Sequence, residues 1–507
     1  MPVRRLSAPV LLMLAATLSA QTAAPPPPAA AKPGESKADT KTPANPLPAN
    51  KSVPQTATVN GKTLHYTATV GTITLKAATP EAKPTGEVTY IAYTLDGAKD
   101  PAHPRPVTFA LNGGPGASSV YLNLGAIGPK HLAFANQGDS PSDPATLTDN
   151  PGTWLDFTDL VFIDPIGTGF SRTLVDEAET KKLFYGPTQD VEYLSLVIYK
   201  WLVENDRLLA KKYLVGESYG GYRGPRITYQ LQSQLGVALN GVVLVSPYLN
   251  PNLGNPNLTP TEWMVSLPSI TAAHLEQGGK LTPEAMQQVI AYTEGEYASA
   301  LIKGPADKAS TDAMIARVTE MTGLDPKFVR FSGGRLDIRA YLREVHREQG
   351  EIGSVYDSNV TAADPFPYTP TQESNDPILN SIIAPTTTAI VDFVTRTVGW
   401  KTEERYNALS YEVNRLWDRG GPEFEAGAVP ALRQAVAADP KLAVLIVHGW
   451  NDLSCPFMGS VLTANQLPAS LSRQVQVHEF PGGHMFYTRP QNQAGLHQLA
   501  EQMVSTH

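Results

Sequence analysis

Serine, aspartate and histidine are the side chains from which an acyl-transfer centre is built, and this chain carries one of each at the end of an apolar run. Ser218 lies in "GESYGG" (residues 216–221), directly after "YLV". Glycines two residues to either side of a serine fit a strand–turn–helix elbow, a turn so tight that side chains at 216 and 220 would clash. Asp452 follows "VLIVHGWN", and His484 follows "VQVHEFPGG". Serine, acid, histidine is the chain order of an elbow-type centre. A serine hydroxyl is a poor nucleophile until an imidazole takes its proton. The imidazole in turn needs a carboxylate to set its tautomer and stabilise its charged form. Other histidines fit less well. His448 and His478 fall inside predicted strands and read as packed or surface groups; His497 and His507 read as solvated, near the end of a terminal helix.

A second cluster is "NGGPG" (112–116), directly after the apolar run "VTFAL". Acyl transfer places negative charge on an oxyanion, which backbone N–H groups can bind where glycine lets the chain approach closely. One N–H comes from the residue after the nucleophile and another from the loop after an upstream core strand, which assigns Tyr219 and Gly114. Glu217 is the difficulty. A carboxylate beside the nucleophile opposes an oxyanion, so Glu217 must have another task.

The elements that would position these residues are legible as short apolar runs. They are residues 72–77, 87–95, 106–114, 159–171, 211–221, 240–251, 441–452 and 475–483. Several are continuous Val, Ile and Leu ending in Gly, Asp or Ser, the pattern of strands buried on both faces of a parallel sheet. Helical stretches at 188–206 and from Ser218 to about Leu235 separate them. The alternation predicts an α/β layer fold with a mainly parallel central sheet. The interval 253–440 breaks the alternation and reads as a helical cap inserted between the two parts of the core, 57–252 and 441–507; a separate third domain is the alternative.

Residues 1–20 read as a signal peptide: Arg4 and Arg5 precede an apolar run, Ala8 to Leu18, too short to span a bilayer. Residues 21–56, rich in Pro and Ala, read as a disordered linker. An exported protein, periplasmic or extracellular, without stable membrane insertion is expected. The net charge of −8 carries no basic stripe, which argues against nucleic acid as a partner. There is no HExxH and no paired CxxC, so neither metal nor cofactor is called for. The single cysteine, Cys455, excludes an internal disulfide. It reads either as a group near the substrate or as a buried structural thiol.

Together "LNGGPGASS", "IDPIGTGFS", "GESYGG" and "GWND…GGHM" resemble the serine carboxypeptidase family, whose members have an α/β-hydrolase fold. The resemblance implies removal of residues from peptide C-termini through an acyl-enzyme, without metal. It also implies a task for Glu217: with Asn112 and Gly113 it binds the substrate's terminal carboxylate. Two close carboxylates cannot both ionise comfortably, so Glu217 would share a proton with the substrate rather than oppose the oxyanion. The chain departs from the family where Glu-Leu-Gly-Pro is usual, reading Ala126-Ile127-Gly128-Pro129, which removes a second acid and favours a mildly acidic to neutral optimum. Ala117 stands where a cysteine is usual, so the cap is expected to be held by packing alone. Three alternatives remain: a proline-directed aminopeptidase, an esterase, and a non-catalytic hydrolase-like binding protein.

Overall fold

The apolar runs form strands. The computed structural model describes residues 45–77, 81–97, 104–254, 260–369 and 376–506. The expected signal peptide, most of the expected linker and His507 lie outside the described residues. From Leu47 onward the chain is one compact unit. Its main strands are β1 (Lys51–Val59), β2 (Lys62–Lys76), β3 (Pro84–Leu95), β4 (Val107–Leu111), β5 (Asp159–Ile163), β6 (Lys212–Glu217), β7 (Gly241–Val245), β8 (Ala443–Gly449) and β9 (Val475–Phe480). They lie in one sheet in the order β1-β2-β3-β5-β4-β6-β7-β8-β9, and the short strand Arg172–Thr173 pairs with β3. From β5 to β9 every pairing is parallel; the first three strands join antiparallel. Strands β4, β5 and β7 are buried at every position. Helices cover both faces, which is why these runs read as unbroken rather than alternating. This is an α/β-hydrolase fold.

The sheet begins earlier than the sequence pattern indicates. Residues 51–56, expected to end the linker, belong to β1, which pairs with β2 from Lys51 opposite Val70 to Val59 opposite Lys62. The turn between them is Asn60-Gly61, with φ of 49° and 77°. Positive φ at both central residues is the geometry that Asn-Gly favours in a tight hairpin. Pro54 lies within β1, which is the edge of the sheet, where a missing N–H is tolerated.

Helices α1 (Pro187–Glu204) and α2 (Tyr219–Gln234) pack beside the centre of the sheet. A buried ion pair joins them. Arg223 Nε donates to Asp190 Oδ2 at 2.6 Å, and Arg223 Nη1 donates to the carbonyl of Asn112 at 2.8 Å. One guanidinium therefore ties both helices to the end of β4.

The interval 253–440, expected to be one insertion, divides in two. The helices from α3 (Thr261–Gln277) to Ile338–Glu344 form separate apolar cores, including Ile270, Val318 and Tyr341, closed by Trp450 and Leu453 from the loop after β8 and by Phe457 from the helix that follows it. Beyond them the chain returns to the sheet. Helix α4 (Pro377–Asp392) places Ile382 and Ile390 in the cluster on one face with Tyr93 and Phe162. Helix α5 (Val429–Ala438) places Leu432 and Val436 in the cluster on the other face with Leu231. Apolar periodicity cannot tell a helix that covers a sheet from one that covers other helices, so both read as insertion. The last helix, α6 (Pro490–Thr506), packs Leu496 and Ala500 against the first face.

Two outcomes test this architecture. A chain starting at Leu47 should unfold at a higher temperature than one starting at Ala57, which loses most of β1 and exposes the edge of β2; equal melting temperatures would leave β1 without a structural role. Arg223→Met should lower the free energy of unfolding, measured in urea, by about 3–5 kcal/mol, because Asp190 is left buried and unpaired.

Candidate active site

The strand ends converge on one point at the C-terminal edge of the sheet. Ser218 follows β6 with φ 58° and ψ −119°. A serine rarely adopts such a backbone, at a cost of about 1–3 kcal/mol, so neighbouring contacts must hold it. Three backbone bonds do so: Ser218 N–H to Val245 O at 3.0 Å, and Gly221 N–H and Tyr248 N–H to Ser218 O at 2.8 and 3.0 Å. The glycines are required by contact. A Cβ at Gly216 would lie 2.1 Å from Gly220 O, and one at Gly220 would lie 2.2 Å from Leu111 O.

Asp452 and His484 meet behind this turn. Asp452 Oδ2 lies 2.8 Å from His484 Nδ1, while Asp452 Oδ1 accepts from Ser454 N–H at 2.8 Å and Cys455 N–H at 2.9 Å. The carboxylate is thereby held from both sides, and Nδ1 donates to it, leaving Nε2 as the acceptor. Burial pushes the His484 imidazole down, but the charge and hydrogen bond of Asp452 more than offset this and leave its pKa raised. Ser218 is half-buried, and its hydroxyl reaches the Cys455 thiol; no hydrogen bond joins it to His484 among the described residues. Cys455 is buried, and burial raises its pKa well above that of a free thiol. Of the two readings of Cys455, the structure bears out the buried thiol, which lies beside the candidate nucleophile.

The loop after β4 lies against the turn. A Cβ at Gly113 would come 2.4 Å from Tyr219 N and 2.8 Å from Ser218 Cβ. Gly114 has φ +100°, open to glycine, and is exposed. Tyr219 opens α2, so its N–H has no partner within the helix.

Glu217, the last residue of β6, is buried. Its Oε2 accepts from Asn112 Nδ2 at 2.7 Å and from Tyr487 Oη at 2.8 Å. Asn112 is oriented by Leu122 N–H, which donates to its Oδ1 at 2.9 Å. Burial raises the Glu217 pKa to about 7; the charge of His484 and the two donors pull it back only in part, and Asp452 adds to the rise. A carboxyl group in this setting gives up its proton around neutral pH rather than in the acid range.

All eight residues singled out in the sequence, Asn112, Gly113, Gly114, Glu217, Ser218, Tyr219, Asp452 and His484, thus converge here. Tyr487 and Arg223 did not announce themselves. Arg223 had one signal, a cation set among small residues in "GGYRGP"; Tyr487 had none.

Two expectations need correction. The helical insertion is not held by packing alone: Arg489 pairs with Glu276 of α3 at 2.5 Å and with Asp357 at 2.7 Å. The residue before Asp357, Tyr356, accepts from His484 N–H at 2.6 Å through its carbonyl. His497 is not solvated. It lies 2.9 Å from Asp156 Oδ2 and edge-on to Phe157, because α6 lies against the loop before β5. Of the two readings given for His448, packed or surface, the structure has it packed, with Nε2 2.8 Å from Ser460 Oγ and a pKa lowered to about 4 by burial. Among the described residues no His, Cys, Asp and Glu side chains group as a metal-ligand set.

Comparison with known proteins gives the family. Residues 87–349 match the family model described as serine carboxypeptidase. The pheromone-processing carboxypeptidase KEX1 of Ogataea parapolymorpha is 30% identical over 168 residues, 32% of this chain and 25% of that protein. Serine carboxypeptidase-like 9 of Arabidopsis thaliana is 28% identical over 171 residues, 33% of this chain and 36% of that protein. The chain thus spans about a quarter to a third of the length of these curated relatives. The crystal structure of a prohormone-processing carboxypeptidase, Kex1, from Saccharomyces cerevisiae superposes with a TM-score of 0.54 over 87% of this chain and 90% of that one, at 16% identity, a likeness of fold. With the family model covering more than half of its length, the chain belongs to the serine carboxypeptidase family.

Proposed function

We propose that this protein is a serine-type carboxypeptidase that releases residues from the C-termini of peptides. The observation that carries the reading is Glu217, a buried acid beside Ser218 whose pKa is raised to about 7. A protonated carboxyl group donates a hydrogen bond to an anion, and the anion that every unmodified peptide offers next to its last amide is its terminal carboxylate. Asn112, Gly113 and Glu217 form this binding site.

Ser218 Oγ adds to the carbonyl carbon of the last peptide bond while its proton passes to His484 Nε2. Asp452 holds the imidazole through Nδ1 and stabilises the imidazolium. The N–H groups of Gly114 and Tyr219 bind the oxyanion. As the C–N bond breaks, His484 returns the proton to the departing amine, leaving an ester on Ser218. Water, deprotonated by the same imidazole, then cleaves the ester and restores the serine. The hydroxyl turns from Cys455 toward His484 when substrate arrives, a tightening common in such sites. The helices from Thr261 to Glu344 act as the cap. An exported setting, periplasmic or extracellular, belongs to the same proposal and rests on Arg4, Arg5 and the apolar run after them.

One observation favours a second reading. A cavity of about 270 Å³, lined by Tyr248, Leu249, Val265, Leu453 and Cys455, contains one charged side chain among the described residues, Glu262. The buried Oε2 of Glu262 has no hydrogen-bond partner among the described residues. An aminopeptidase would use such a carboxylate to hold a free ammonium group. Digestion of a mixed peptide library, read by mass spectrometry, separates the two readings: shortening from the C-terminus supports carboxypeptidase action, and shortening from the N-terminus replaces it.

Ser218→Ala should reduce turnover by about 10⁶-fold with the fold intact, and His484→Ala should match it. Asp452→Asn should retain a small residue of activity, since the acid orients and stabilises without moving a proton itself. More than about one per cent activity in a clean Ser218→Ala preparation contradicts the assignment.

The pH dependence follows from two groups of opposite demand. His484 must be neutral to act as base, which removes activity at low pH. Glu217 must be protonated to meet a carboxylate, so peptide KM should rise as pH passes through about 7. The peptidase profile of kcat/KM should therefore be bell-shaped, while an ester or C-terminal amide of the same peptide should lack the alkaline limb. Glu217→Gln keeps a donor that cannot ionise and should flatten that limb for the peptide. A wild-type peptide KM that is flat across neutral pH would remove Glu217 from the site.

A further inference from the structure

Tyr487 stands out among the buried groups that this mechanism leaves unused. It lies three residues after His484, and its side chain is fully buried. We propose that Tyr487 is the positioning residue of the carboxylate site: with the Asn112 amide it holds Oε2 of Glu217 as an acceptor, so that Oε1 is the oxygen that presents a proton to the substrate carboxylate. The proposal rests on the carboxypeptidase reading above.

The geometry leaves little freedom. Leu122 N–H donates to Asn112 Oδ1, so the amide nitrogen of Asn112 must face Glu217, where it can only donate. Tyr487 Oη, at 2.8 Å, donates to the same oxygen. Two donors on one oxygen make it the wrong place for a proton, and a neutral Glu217 therefore carries its proton on Oε1. Oε1 has no hydrogen bond among the described residues, so its proton is available to a ligand. The tyrosine cannot swing away. Its ring packs edge-on against Phe486 at 5.9 Å, and a Cβ at Gly125 would already lie 3.2 Å from it. With alanine at 126, no second acid enters from this segment, and the phenol orients Glu217 without adding charge. The remaining titratable neighbours of Glu217 are His484, Asp452, Tyr121 and Cys455. None of these donates to its carboxyl group.

The sign of the effect follows. A donor to the carboxylate favours the ionised form, so the Tyr487 hydroxyl holds the Glu217 pKa below the value burial alone would set. Tyr487→Phe keeps the ring and removes the donor. Two changes are expected together. The kcat/KM of a peptide relative to its own C-terminal amide should fall about tenfold, carried by KM, because Glu217 no longer presents one fixed oxygen. The alkaline limb of the peptide KM should also move up by roughly one pH unit, because the carboxyl group has lost a donor to its charged form.

An unchanged ratio, an equal loss on peptide and amide, or an unmoved alkaline limb overturns the proposal, since a tyrosine that only fills space would give one of these. Labelling of Ser218 by a fluorophosphonate monitors the turn; a variant that loses it also overturns the proposal, because the hydroxyl would then support the whole site rather than one oxygen. A wild-type enzyme that treats peptide and amide alike overturns the carboxypeptidase reading, and this proposal with it. A wild type that separates them while Tyr487→Phe changes nothing overturns this proposal alone.

Discussion

The backbone reversal at Ser218 is the constraint on which the rest of the site depends. At φ 58° and ψ −119° the chain turns from β6 into α2 within one residue. That turn throws Glu217, Ser218 and Tyr219 toward different partners although they are consecutive. Glu217 points to Asn112 and Tyr487, Ser218 to the Cys455 and His484 side, and Tyr219 offers its N–H beside Gly113. The glycines follow from the turn, because the backbones at 216, 220 and 111 pass too close for a Cβ. The strain at Ser218 is sustained by bonds from the next strand and from α2, so the cost is met by the sheet rather than by the turn itself.

The second organising fact is the placing of buried charge. Asp190 and Arg223 neutralise each other beneath the site, and the spare N–H of the guanidinium fixes the end of β4. Asp452 is held by two backbone donors and by His484. Of these three acids only Glu217 lacks a basic side chain in contact, and burial brings its change of protonation up to about pH 7. Recognition and base catalysis would thus be set by two groups that sense each other: the charge of His484 lowers the Glu217 pKa, and the charge of Glu217 raises that of His484. Peptide activity would fall between their two demands.

The helical insertion is coupled to the same centre by charge. Arg489 joins α3 to the loop around Asp357, and the carbonyl of Tyr356 receives the backbone N–H of His484. A shift of α3 would therefore be felt at the histidine. Without a disulfide, this cluster and the apolar contacts of Trp450 and Leu453 hold the insertion to the core.

What the sequence by itself determined is the local part: where apolar runs make strands buried on both faces, where glycines permit a turn, and in what order serine, acid and histidine follow those strands. These are readable because strand period and turn chemistry act over a few residues. The eight candidate residues all sit at strand ends, and strand ends are legible. The tertiary structure alone decided what crosses long distances. Pro54 looked like linker until β1 proved to be an edge strand. Helices α4 and α5 looked like insertion because an apolar stripe does not say which surface it covers. His497 looked solvated until α6 brought it to Asp156. Tyr487 shares no local pattern with Glu217, 270 residues away in the chain. Only the closing of the sheet, which sets the loop after β9 beside the end of β6, makes them neighbours, and no local preference encodes a contact of that span.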